Sequence, residues 1–71
     1  MELDELPPLP TERQVSAATG VPTGTLRYYR HRGHGGPASF KLTPRQVRYR
    51  REDVLKWIEQ QYEASQAQRT A

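Results

Sequence analysis

The side chains in this sequence best equipped for chemistry are cations. Arg13, Arg27, Arg30, Arg32, Lys41, Arg45, Arg48, Arg50 and Arg51 occupy a stretch, residues 13–51, that holds no Asp or Glu. The acids stand outside it: Glu2, Asp4, Glu5 and Glu12 before, Glu52, Asp53, Glu59 and Glu63 after. A solvated surface interleaves the two signs. Their separation here, at a net charge of only +3, is the footprint of a surface that meets a polyanion. All but Lys41 are arginines, whose planar fork fits phosphate oxygens and guanine edges.

Other chemistries find less support. His31 and His34 form His-x-x-His, but a structural zinc site needs four ligands and the chain has no Cys. Ser16, Ser39 and Ser65 have no evident base and orienting acid nearby. The expectation is a non-enzymatic protein without metal or cofactor.

The elements that position these cations must come from one small domain, since 71 residues support no more. A domain of this size buries only about 60% of the surface its unfolded chain exposes, so its core is marginal. The N-terminal Met1–Pro10 run is acidic and Pro-rich, the opposite of a signal peptide. No apolar run approaches the roughly 20 residues that span a bilayer. A cytoplasmic protein that avoids membranes is expected.

Along the chain, residues 1–8 read as a flexible acidic leader. Thr11-Glu12-Arg13-Gln14 reads as a capping box that opens a helix running to about Thr19, with Val15 and Ala18 on one face. Gly20 stops it, and Val21-Pro22 makes a turn. The second helix is expected over Thr23–Arg32, ending at Gly33. On a 3.6-residue wheel, Leu26 and Tyr29 share the packing side. Gly24, Arg27, Tyr28 and His31 share the other, with Thr23 and Arg32 at its margins. Tyr29 is expected in the core and Tyr28 outside.

His34-Gly35-Gly36-Pro37 breaks the chain. Ala38–Leu42 and Val47–Arg50 then read as a β-hairpin with a basic tip over Thr43–Gln46. Phe40, Val47 and Tyr49 are expected to face in, and Lys41, Arg48 and Arg50 out. Arg51–Tyr62 reads as an amphipathic helix with Val54, Leu55, Trp57, Ile58 and Tyr62 in one broad stripe. Glu52 and Asp53 in its first turn complement the helix dipole. Phe40, Tyr49 and Trp57 are all expected to pack in the core, because a small domain cannot spare large aromatics. Residues 63–71 read as a disordered tail. The domain proper spans 9–62.

The fold class is therefore α+β: a small winged helix-turn-helix made of a helix-turn-helix, a two-stranded hairpin wing and a C-terminal helix. Thr25-Leu26-Arg27-Tyr28-Tyr29 resembles the recognition helix of MerR-like winged helices. Arg48-Tyr49-Arg50-Arg51-Glu52-Asp53-Val54 resembles the wing strand and following helix start of the same superfamily. Over Thr11–Gln61 the chain resembles the excisionase/AlpA-type branch, in particular versions from actinobacterial phages and mobile elements. The ordered pattern is Gly-Val-Pro-x-x-Thr-Leu, then Arg-His-Arg-Gly-x-Gly-Pro, then Arg-Tyr-Arg-x-x-Asp-Val-x-x-Trp, met here at Gly20–Leu26, at Arg30–Pro37 with one additional Gly before the Pro, and at Arg48–Trp57.

That resemblance implies a recombination directionality factor. Such proteins bind repeated sites in double-stranded attachment DNA, often head to tail, bend it, and help an integrase assemble the excision complex. It also implies DNA contacts from Thr23, Gly24, Thr25, Arg27, Tyr28, Arg30, His31 and Arg32 on the recognition helix, and from Lys41, Arg45 and Arg48 on the wing. MerR regulators add a long dimerisation helix and an effector domain, for which this sequence leaves no room. The wing tip departs from its relatives: Leu42-Thr43-Pro44-Arg45-Gln46 stands where Gly-Arg is common. Two other readings stay open. One is a small AlpA-like transcription regulator. The other is a protein-interaction module using the Leu55/Trp57/Ile58 face.

Overall fold

A computed structural model describes residues 1–69. Its elements are a single 3-10 turn at Leu3–Glu5, α1 over Glu12–Thr19, α2 over Thr23–Arg32, β1 over Ser39–Thr43, β2 over Gln46–Tyr49 and α3 over Arg51–Arg69. This is the winged helix-turn-helix expected from sequence: three helices and an antiparallel hairpin.

Local chemistry sets the helix boundaries. Thr11 Oγ1 accepts from the Gln14 N–H at 3.1 Å, and Gln14 Oε1 accepts from the Thr11 N–H at 2.9 Å, completing the capping box. The Gly20 N–H donates to the Ser16 carbonyl at 2.8 Å and closes α1. Gly33 closes α2 through the Tyr29 carbonyl at 2.9 Å.

The core takes one or more side chains from each layer: Leu6, Val15, Leu26, Tyr49 and Val54 are buried. Leu3, Ala18, Val21 and Ile58 pack around them. The presence of Leu6, 1% exposed, corrects the flexible leader. Residues 8–10 lie along β2, where the Tyr49 N–H donates to the Pro10 carbonyl and the Arg51 N–H to the Pro8 carbonyl, both at 3.0 Å. Arg51 Nη1 adds a bond to the Leu6 carbonyl at 3.2 Å. Pro8 and Pro10 have no N–H to give, so their backbone groups only accept.

The hairpin register corrects Phe40. Ser39 pairs with Tyr49, Phe40 with Arg48 and Lys41 with Val47, and a bulge separates Lys41 from Thr43. Residues directly opposite each other share a face. Phe40 therefore sits beside Arg48, on the side away from Tyr49, and is 38% exposed. Lys41 shares the face of Val47, which is half-buried. Of the three residues expected to face in, Tyr49 alone is fully buried.

Tyr29 and Trp57 are half-buried, outside the main core. Their rings lie 6.4 Å apart, and Trp57 Nε1 donates to the Gly35 carbonyl at 3.0 Å. Together they pin the loop between α2 and β1. Gly36 lies so close that a Cβ there would stand 2.8 Å from the Tyr29 Cβ and 2.7 Å from its Cδ2. The Tyr29 Cβ is fixed to a helix and cannot swing aside. Gly36→Ala is expected to cost about 1–3 kcal/mol, the usual penalty for overpacking. Urea denaturation checks this, and an unchanged midpoint would show that the loop yields freely.

Helix α3 runs past Tyr62 to Arg69, which corrects the expected tail; Thr70 and Ala71 lie outside the described residues. The Gln- and Ala-rich segment after Tyr62 lacks an apolar period, but those residue types favour helix. The apolar stripe is narrower than its sequence suggests. Val54 is buried and Trp57 and Ile58 are half-buried, whereas Leu55 and Tyr62 are exposed. Among the described residues no helix is long and apolar enough to cross a membrane.

Candidate nucleic-acid interface

Helix α2 carries the first group of expected contacts. Leu26 anchors it in the core, and Thr23, Gly24, Arg27, Tyr28, His31 and Arg32 are exposed. Thr25 is half-buried. Tyr28 is 56% exposed, as its place on the wheel predicts. Pro22 caps the helix without a side-chain hydrogen bond, which leaves the first turn open to an outside acceptor.

Arg30 differs from this group in having a partner inside the fold. Its Nε donates to Glu12 Oε2 at 3.1 Å, and the pair is mostly shielded, with side chains 28% and 17% exposed. The Tyr49 hydroxyl donates to the same Glu12 oxygen at 3.0 Å. One carboxylate thus joins α1, α2 and β2. The hydrogen bond to Glu12 raises the Arg30 guanidinium above its ordinary value, so its charge is held firmly. Burial, with Glu12 adding to it, pushes the Tyr49 phenol up to about 12 and keeps it a neutral donor. Arg30 thereby ties α2 to α1, with its side chain 28% exposed. Sequence reasoning missed Glu12. Its signal was its position as the acid bordering the basic stretch, at the first residue of a capped helix.

The wing carries the second group. Lys41 and Arg45 are exposed, and Arg48 is half-buried with Nη1 donating to the Val47 carbonyl at 3.2 Å. Thr43 organises the tip without glycine. Its Oγ1 accepts from the Arg45 N–H and donates to Gln46 Oε1, both at 3.3 Å. At the far end of the basic stretch, Arg50 pairs with Glu52 at 2.8 Å, which raises its pKa, and Arg51 holds the strap. Arg30, Arg50 and Arg51 thus have partners within the fold. Among the described residues, Arg13, Arg27, Arg32, Lys41, Arg45 and Arg48 make no ion pair with an acid.

What these six share is donors and positive charge, which suits an anion. His31 and His34 are both exposed, and among the described residues no three His, Cys, Asp or Glu side chains group as metal ligands.

Comparison with known proteins gives one result. A family profile described as a helix-turn-helix domain matches residues 11–62, from the N-cap of α1 through Tyr62 of α3. Neither the curated proteins nor the solved structures hold a match to this chain. The matched span covers both helices of the motif, the whole wing and the core-forming part of α3. The chain belongs to the helix-turn-helix domain family, which covers excisionase- and AlpA-like DNA-binding proteins, and it is a small DNA-binding helix-turn-helix protein.

Proposed function

We propose that this protein is an excisionase, a directionality factor that binds and bends attachment-site DNA so that a phage or mobile-element integrase excises the element. The observation that carries the reading is the distribution of exposed cations. They stand on the outer face of α2 and on the wing, and the neighbouring acid Glu12 is already occupied. Helix α2 enters the major groove, where Thr23, Gly24, Thr25, Arg27, Tyr28, His31 and Arg32 meet base edges and phosphates. The wing lays Lys41, Arg45 and Arg48 along the backbone or in the adjacent minor groove, whose narrow form attracts arginine and favours bending. The integrase performs the strand chemistry, in the cytoplasm of a bacterial host. Copies of this chain assemble head to tail on repeated sites.

The rival is a small AlpA-like regulator with the same contacts. Footprinting separates the two. An excisionase protects several closely spaced direct repeats in attachment DNA, and protection confined to a single promoter operator would establish the regulator instead. Arg27 is central to either version. Arg27→Ala is expected to weaken binding to the specific site by about 1–3 kcal/mol, because it removes a groove contact. Equal affinity at matched salt would remove Arg27 from the interface.

A further inference from the structure

The exposed nitrogen-bearing side chains on α2 are not equivalent. Among the described residues, the side chains of Arg27 and His31 have no hydrogen-bond or ion-pair partner, whereas Arg32 is held in place. Its guanidinium carbon lies 5.1 Å from the Tyr28 ring centroid and 5.7 Å from that of Tyr29. Its Nη1 donates to the Tyr28 hydroxyl oxygen at 3.3 Å. It also rests against Gly35, where a Cβ would stand 2.5 Å from Nη2. The positive φ of Gly35, 99°, lets the backbone turn beneath the guanidinium without a side chain.

Tyr28 accepts from Arg32, so its own O–H proton is not used in that bond. Donation to the phenol oxygen polarises the O–H and makes it a better donor. The guanidinium has five N–H groups and spends one here. The pair therefore presents a hydroxyl donor beside a fixed planar cation, both exposed and with no acid bonded to either. Two converging donors with one positive charge suit the two free oxygens of a phosphodiester. Recognition helices reach base edges with their N-terminal residues, and Arg32 is the last residue of α2.

We propose that Tyr28 and Arg32 form one preassembled clamp for a single DNA phosphate, in which Tyr28 positions Arg32 and both donate to the same group. This rests on the DNA-binding reading above. A side chain ordered before binding gives up less rotamer freedom when the ligand arrives. Tyr28 thus acts twice, as a donor and as the platform for its neighbour.

The test is a double-mutant cycle read by fluorescence anisotropy on a short DNA duplex of arbitrary sequence, across a salt series. Tyr28→Phe keeps the ring and removes only the hydroxyl. It is expected to weaken binding about 3- to 10-fold in the wild-type background, and less than about 2-fold beside Arg32→Ala. Arg32→Ala is expected to lower the salt slope by about 1, while Tyr28→Phe leaves the slope unchanged. Both side chains are exposed, so thermal melts of all variants should match the wild type. Equal losses from Tyr28→Phe in both backgrounds, or no loss in either, would overturn the clamp. A wild-type protein that shows no salt-dependent duplex binding would instead overturn the DNA reading on which the clamp rests.

Discussion

Glu12→Ala is expected to lower the melting temperature by about 10–25 °C, although no DNA contact is assigned to Glu12. One of its oxygens receives both the Arg30 Nε at 3.1 Å and the Tyr49 hydroxyl at 3.0 Å. Removing it leaves the phenol of a residue 1% exposed with no acceptor and a half-buried guanidinium with no counter-charge. Hydrogen bonds to charged groups are worth about 1.5–3 kcal/mol each. The Arg30 side is discounted because water reaches 28% of that side chain, which brings the sum to about 2–4 kcal/mol. A domain of this size rarely has more than about 3–5 kcal/mol in total. Glu12→Gln keeps an acceptor and loses the charge, so it should fall between wild type and alanine. Circular dichroism melts decide the matter. An alanine variant that melts within two or so degrees of wild type would show that the three-way contact carries no stability. The same contact fixes the tilt of α2 against the wing, so the glutamine variant should also bind DNA more weakly than its modest loss of stability explains.

The parts of this fold that were legible in the sequence are those decided by local chemistry. The boundaries of α1 and α2 follow from Thr11 with Gln14, from Gly20 and from Gly33, each acting within a few residues of itself. The exposed face of α2 follows from helical period alone. The hairpin was also legible, but not which way β1 faces. That depends on a bulge between Lys41 and Thr43, set by the tip, and a shift of one residue turns Phe40 outward. Arg30 shows a different limit. It lies four residues after the buried Leu26, a spacing that sets it toward the packing side, while its charge groups it with Arg27 and Arg32. Its partner Glu12, eighteen residues earlier, is a tertiary fact that no window of sequence contains. The candidate interface was thus legible as a surface, and the bonds that orient it were not.

Removing residues 1–9 is expected to abolish cooperative folding, even though the segment matching the helix-turn-helix family, residues 11–62, stays whole. The segment looked like a flexible leader because its acids and prolines are the composition of solvated chain. In the fold, Leu6 is 1% exposed, Leu3 packs beside it, and the carbonyls of Leu6 and Pro8 each accept a bond from Arg51. Truncating a buried Leu to Ala costs about 2–5 kcal/mol, the scale of the whole domain's stability. Leu6→Ala should therefore reproduce most of the deletion's effect. Leu6→Met, which conserves volume, should cost less than about 1.5 kcal/mol. Charge supplies a counter-hypothesis with a distinct outcome. The deletion removes Glu2, Asp4 and Glu5 and no cation, taking the net charge from +3 to +6. If the segment served only as an electrostatic screen, the shortened protein would melt like the wild type and bind DNA more tightly. If it is a core plug, the shortened protein loses both its melt and its specific binding. Leu6→Ala leaves every charge in place, so a loss of folding in that variant comes from packing and not from charge.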